Sequence, residues 1–148
     1  MKHRQTWHFI RLAVMIIGLL ALLSCDAQTQ SQDKAEIENI IYDISRDFNW
    51  NDIPGIVERL HPDYRHNGMQ GMQFRELWLN RRTSYELLDF VVRDIAISGD
   101  FAIVSMQLTF QTSGEDLVYE EPQTSGDISY FYYDQGEWQL YGNQSLVK

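Results

Sequence analysis

The sequence predicts an α+β domain in which three N-terminal helices pack on a curved antiparallel sheet. Three observations carry this reading. Ile37, Ile40, Ile41, Ile44 and Phe48 recur at the spacing of one helix face. Ala102, Val104, Met106, Leu108 and Phe110 are apolar while the intervening Ser105, Gln107, Thr109 and Gln111 are polar, the alternation of a half-buried strand. Helical patterns stop near Thr83, and everything after it looks extended.

The first helix is expected from Lys34 to Asn49, with Asp33 as N-cap and Glu36 three residues on at the capping-box spacing. Isoleucines are poor helix formers, so burial of their stripe must hold this helix. Asn51 or Asp52 can cap a second helix, with Pro54 tolerated in its first turn and Ile53, Ile56, Val57 and Leu60 on its buried face. Pro62 ends it. Tyr64–Gly71 reads as a brief strand and a turn, with Gly68 and Gly71 as breakers. Phe74, Leu77, Trp78 and Arg81 give a third helix up to about Arg82. Strands follow over Tyr85–Ser98 and Phe101–Thr112, joined at Gly99-Asp100. Ser113–Glu121 is a loop or a strand broken by a bulge. Asp127–Tyr133 and Glu137–Asn143 form a further hairpin around Asp134-Gln135-Gly136. No internal repeat or second domain is visible.

The N-terminus carries a different signal. Lys2, Arg4 and Arg11 precede an unbroken apolar run from Leu12 to Leu23, followed by Ser24 and Cys25. That is the order of a secretory signal peptide. The run is shorter than the roughly 20 apolar residues that span a bilayer. Leu22-Leu23-Ser24-Cys25 resembles a bacterial lipobox, in which the leader 1–24 is removed and the cysteine becomes the lipid-carrying first residue. The resemblance implies a diacylglyceryl group, often with a third acyl chain, and anchoring by more than one chain is stable. The competing reading is a buried cysteine within an uncleaved anchor. Asp26 favours retention at the periplasmic side of the inner membrane in enteric-type bacteria, with the outer membrane left open. Asp26–Asp33 is polar and reads as a flexible tether, leaving 34–148 as the domain.

Composition narrows the partners. Of the 148 residues, 12 are Lys or Arg and 21 are Asp or Glu, a net charge of −9. Removing a leader with three basic and no acidic residues takes this from −9 to −12. Such a surface repels phosphate backbones, so no nucleic acid is expected, and it repels anionic lipid, so membrane attachment falls to Cys25. With Cys25 as the only cysteine, no intrachain disulfide can form. No Gly-rich phosphate loop or GxSxG motif occurs, and no cofactor is expected.

In order and spacing the chain resembles the NTF2-like (SnoaL-like, cystatin-like cone) superfamily. The segments that carry this are Phe48–Leu60 (FNWNDIPGIVERL), His61–Gly68 (HPDYRHNG), the helix with Trp78, and the strands Gly99–Phe110 and Tyr130–Gln144. The resemblance covers nearly all of Ala35–Gln144. It implies a cone with a cavity between helices and concave sheet, but no particular reaction.

Candidates for chemistry are His66, Tyr64 and Asp94. In the steroid-isomerase branch of the family, an aspartate base lies near the end of the short strand. Here that stretch is Arg65-His66-Asn67, so a base would have to be His66. Equally, His66 is an ordinary hydrogen-bonded histidine. Asp94 would serve as acid or base only if it faced inward. His61, Asp63 and His66 lack zinc spacing, so no metal site is expected. Tyr64, Trp78, Met106, Tyr130 and Trp138 either line a small-molecule pocket or fill the core.

The main functional expectation is a membrane-anchored envelope lipoprotein with a non-catalytic domain that binds a small apolar ligand or a partner protein. The alternative is an isomerase or dehydratase using the His/Tyr/Asp cluster. Phe101, Ile103 and Phe131 are expected on the outer sheet face, which allows a homodimer.

Overall fold

The computed structural model describes residues 29–146. The leader, Cys25 and residues 26–28 of the expected tether lie outside the described residues. The chain divides into Met1–Asp33 and Lys34–Lys148, and the second unit carries the fold.

Helix α1 spans residues 29–49. Asp33 therefore lies inside the helix rather than at its N-cap, and residues 29–33 of the expected tether are helical. Nothing in Gln30–Lys34 breaks a helix, and glutamine and lysine favour one. Ile37, Ile41, Ile44 and Phe48 are fully buried, as the stripe predicts. The end of α1 is stitched to the first strand. Asn49 Oδ1 accepts from the Leu88 N–H at 2.7 Å, and the Ser45 hydroxyl donates to Leu88 O at 2.6 Å.

Helix α2, Ile53–Val57, begins at Asp52, whose Oδ1 accepts from Gly55 N–H at 3.1 Å. Helix α3, Gly71–Ser84, buries Phe74 and Trp78. Between them the expected short strand reduces to a bridge between His66 and Met69. Asn67 and Gly68 both take positive φ there and turn the chain. The 61–68 segment runs beside residues 140–145, with Arg65 N–H donating to Tyr141 O and Gln144 N–H to Arg65 O.

The sheet holds β1 (Leu87–Ser98), β2 (Phe101–Gln111), β3 (Leu117–Glu121), β4 (Tyr130–Asp134) and β5 (Glu137–Leu140). β2 pairs along its length with β1. Its other edge is divided: Met106–Phe110 pairs with β3 and Phe101–Ile103 with β4. β5 extends the sheet from β4. The open alternative at Ser113–Glu121 resolves into a loop followed by β3. Asp127–Ser129, expected to open β4, instead belongs to the β3–β4 connection, because Asp127 is committed to α3.

All five apolar residues of the β2 alternation face the core: Ala102, Val104, Met106, Leu108 and Phe110. One orientation that the sequence leaves open is fixed, and one differs from expectation. A register shift between Val92 and Asp94 leaves Arg93 as an extra residue, so Asp94 turns outward opposite Ser105. Phe131 pairs with Ala102 and is 1% exposed, so it points into the core with its partner rather than onto the outer face.

Candidate functional site

The concave side of the sheet encloses a polar cluster at the end of α3. Arg81 follows Trp78 by one helical turn and so shares its inward face. Its guanidinium lies over the Trp78 ring at 4.9 Å and the Phe110 ring at 5.6 Å. Asp127, 1% exposed, answers the charge from the β3–β4 connection. Arg81 Nη1 donates to Asp127 Oδ2 at 2.6 Å and Nη2 to Oδ1 at 3.2 Å. The Trp78 indole N–H donates to Oδ2 at 2.9 Å, and the Ser125 hydroxyl donates to Oδ1.

Neighbouring groups hold the connection itself. Tyr64 O–H donates to the Asp127 carbonyl at 2.8 Å. His66 Nε2 lies 2.7 Å from Ser125 O and 3.0 Å from Asn67 Nδ2, and because a carbonyl only accepts, a bond to Ser125 is made by Nε2–H. Its Nδ1 then accepts from Asn143 N–H at 3.4 Å. The Glu121 carboxylate, 2% exposed, accepts from the N–H groups of Ser125 and Gly126.

Electrostatics separate the two buried carboxylates. Burial opposes the Asp127 charge, but the Arg81 guanidinium and the surrounding donors outweigh it and hold the carboxyl below its ordinary value. Arg81 is likewise resisted by burial and held above its ordinary value by Asp127. Burial pushes Glu121 up, against the pull of its two N–H donors. Burial also pushes the Tyr64 phenol up, so its proton stays in place.

These directions fix a pH dependence. A carboxyl whose folded pKa is raised costs stability above that pKa, and the cost is relieved as pH falls through it. A carboxyl whose folded pKa is lowered keeps its contribution down to the unfolded value, about 3.9 for aspartate, and loses it below. From pH 7 towards about 4, the wild type is therefore expected to gain stability relative to Glu121→Gln, by a few degrees in thermal midpoint. The difference between the two proteins cancels titrating groups that do not face Glu121; its neighbours Asp127, held below its ordinary value, and Arg81, held above, titrate outside this range. A wild type that loses ground to the variant over that range would contradict the assignment.

The residues singled out in the sequence separate in space. Trp78 and Met106 are fully buried core, and Trp138 is 4% exposed. Tyr64 borders a polar groove of about 740 Å³ with Arg65 and Gln70. Trp138 borders a cleft of about 440 Å³ with Glu36 and Arg59, and Tyr130 an apolar one of about 390 Å³ on the outer face. Trp78 and Met106 touch none of the three. The expected shared pocket is thus divided, because β2 and β4 direct Met106 and Tyr130 to opposite faces of the sheet. His66 and Tyr64 do converge, but on backbone carbonyls of one loop, and Asp94 lies on the other side of the sheet. Among the described residues, no group of three or more His, Cys, Asp or Glu side chains is placed to hold a metal.

Arg81, Glu121 and Asp127 escaped the sequence reading. One signal was present: a cation on the Phe74–Trp78 face requires a buried anion. Which carboxylate answers it depends on the β3–β4 connection, which has no periodicity.

Three helices against the concave side of a curved, open antiparallel sheet define an NTF2-like cone. Solved structures of this architecture include a protein of unknown function from Mycobacterium tuberculosis, with 14% identity, coverage of 78% of this chain and 72% of that one, and a TM-score of 0.57. A candidate scytalone dehydratase from Novosphingobium aromaticivorans shares 11% identity over 78% of this chain and 84% of its own, with a TM-score of 0.57. A cystatin-like-fold protein of unknown function from Nostoc punctiforme shares 14% identity over 75% of this chain and 87% of its own, with a TM-score of 0.54. No protein-family model and no curated protein matches the sequence. At these identities the likeness establishes the fold and not a reaction.

Proposed function

We propose that the chain is a lipid-anchored bacterial envelope protein whose cone domain is a non-catalytic binding module. Cys25 carries the acyl chains, and Asp26 favours the periplasmic side of the inner membrane. The contact surface is the outer sheet face, and its occupant is a second copy of the chain. One observation carries the reading: the concave side of the sheet is packed with the protein's own fully buried side chains, Trp78, Met106 and Phe110 among them, while apolar surface is displayed outside. Phe101 is 52% exposed and Ile103 43%, beside the apolar groove of about 390 Å³ that Tyr130 and Tyr141 also line. Val91 and Val118 extend this face at 51% and 53% exposure. A single sheet face carried by both copies satisfies an isologous two-fold interface. The isomerase or dehydratase alternative needs His66 with Tyr64 or Asp94 around one cavity; Asp94 turns outward, and both His66 and Tyr64 are engaged with loop carbonyls, which supports the binding reading instead.

Sedimentation tests the surface. The wild type is expected to sediment as a dimer and Ile103→Asp as a monomer, because a carboxylate cannot be buried there unpaired. An unchanged mass in the variant would remove the interface. The anchor is tested separately: Cys25→Ser is expected to abolish incorporation of a fatty-acid label and release the protein from the membrane pellet.

A further inference from the structure

The cluster around Asp127 has the composition of a ligand site in which the ligand belongs to the chain. The recognising groups come from the rigid body of the fold. Arg81 and Trp78 stand on α3, and Phe110, under the guanidinium, on β2. Trp78 and Phe110 are fully buried, and Trp78 stacks on Phe74 at 5.6 Å, so core packing sets their positions. The recognised group comes from a connection without regular secondary structure. Arg81 meets the Asp127 carboxylate with two nitrogens, at 2.6 and 3.2 Å, and Trp78 adds a third donor at 2.9 Å. Planar, two-pronged contact from a guanidinium is the geometry by which proteins select carboxylates. Only the Ser125 hydroxyl, a fourth donor, travels with the loop.

We infer that α3 and β2 form a binding site for a small monocarboxylate, and that Asp127 fills it as a tethered ligand. This goes beyond the dimer reading and is independent of it, since the site lies on the concave side of the sheet. Tethering gives the internal carboxylate a high effective concentration, so free carboxylates do not displace it from the wild type at ordinary concentrations. Removing the Asp127 carboxylate leaves a space of that one group's size beside an unmatched guanidinium, which formate fits and acetate, larger by a methyl, fits less well.

The test compares thermal midpoints in sodium formate, sodium acetate and sodium chloride at equal ionic strength. Four full-length proteins are used: wild type, Asp127→Ala, Asp127→Asn and Arg81→Ala/Asp127→Ala. A saturable rise of several degrees in formate over chloride, smaller in acetate, is expected for Asp127→Ala alone. The wild type and Asp127→Asn stay flat because their own side chains fill the site. The double variant stays flat because the guanidinium is gone. A rise of equal size in all four is a general salt effect and overturns the inference, as does no rise in Asp127→Ala. If Asp127→Ala does not fold in chloride, the readout is recovery of the near-ultraviolet aromatic signal on transfer to formate. Failure to recover there also overturns it.

Discussion

Replacing Arg81 with alanine is expected to lower stability by about 3–5 kcal/mol, the usual cost of leaving one member of a buried ion pair behind. Asp127 is 1% exposed in the intact protein, so removing the guanidinium leaves a poorly solvated carboxylate without its counter-charge. Its remaining donors, the Trp78 indole and the Ser125 hydroxyl, carry no charge. The guanidinium also covers the Trp78 and Phe110 rings, so its loss removes packing together with charge. Replacing both members with apolar residues of similar volume, Arg81→Met with Asp127→Leu, is expected to cost much less. Most of the single-variant penalty is the stranded charge rather than the worth of the pair. Urea unfolding of the single and double variants measures this directly. A loss below about 1 kcal/mol in Arg81→Ala would place the pair among solvent-screened surface bridges and contradict the burial.

The same pair marks where the sequence stops being legible. Elements whose burial repeats with a regular period were readable: the α1 stripe, the α3 face and the β2 alternation all face the core as their spacing requires. The features that position the site have no period. A single extra residue at Arg93 reverses the facing of Asp94. The β3–β4 connection is fixed by long-range contacts, namely Tyr64 to the Asp127 carbonyl, His66 to Ser125 and Arg81 to the Asp127 carboxylate. Their partners lie far apart in sequence, and local propensity carries no information about such pairings. His66 and Tyr64 were read as candidates for chemistry, and the structure sets both on carbonyls of a loop whose Asp127 was read as the start of a strand. Trp78 and Arg81 were read as a helix face without the counter-charge that such a face demands.

Gly142→Ala is the second substitution expected to cost several kcal/mol, and it acts through the backbone. Gly142 has φ +75°, and a Cβ added there would stand 2.2 Å from Arg65 O and 2.6 Å from Arg65 C. Both are backbone atoms, so no side-chain rotation relieves the overlap. The two chain segments must separate, which breaks the Arg65 N–H to Tyr141 O and Gln144 N–H to Arg65 O bonds at 3.0 and 2.9 Å. His66 Cβ lies 3.0 Å from the added atom, so the ring that holds Ser125 shifts with the 61–68 segment. Gly99→Ala supplies the comparison. Gly99 also has a positive φ, +59°, but nothing lies within 4 Å of its added Cβ. It should lose only the conformational cost of a left-handed alanine, roughly 1–2 kcal/mol. The excess loss in Gly142→Ala, measured by urea unfolding, is then the cost of close backbone approach. Amide exchange should rise at Ser125 and Gly126 in Gly142→Ala and not in Gly99→Ala. Equal losses in the two variants would mean that the 64–66 and 141–144 segments are not in contact, and the support for the loop over Arg81 would have to be sought elsewhere.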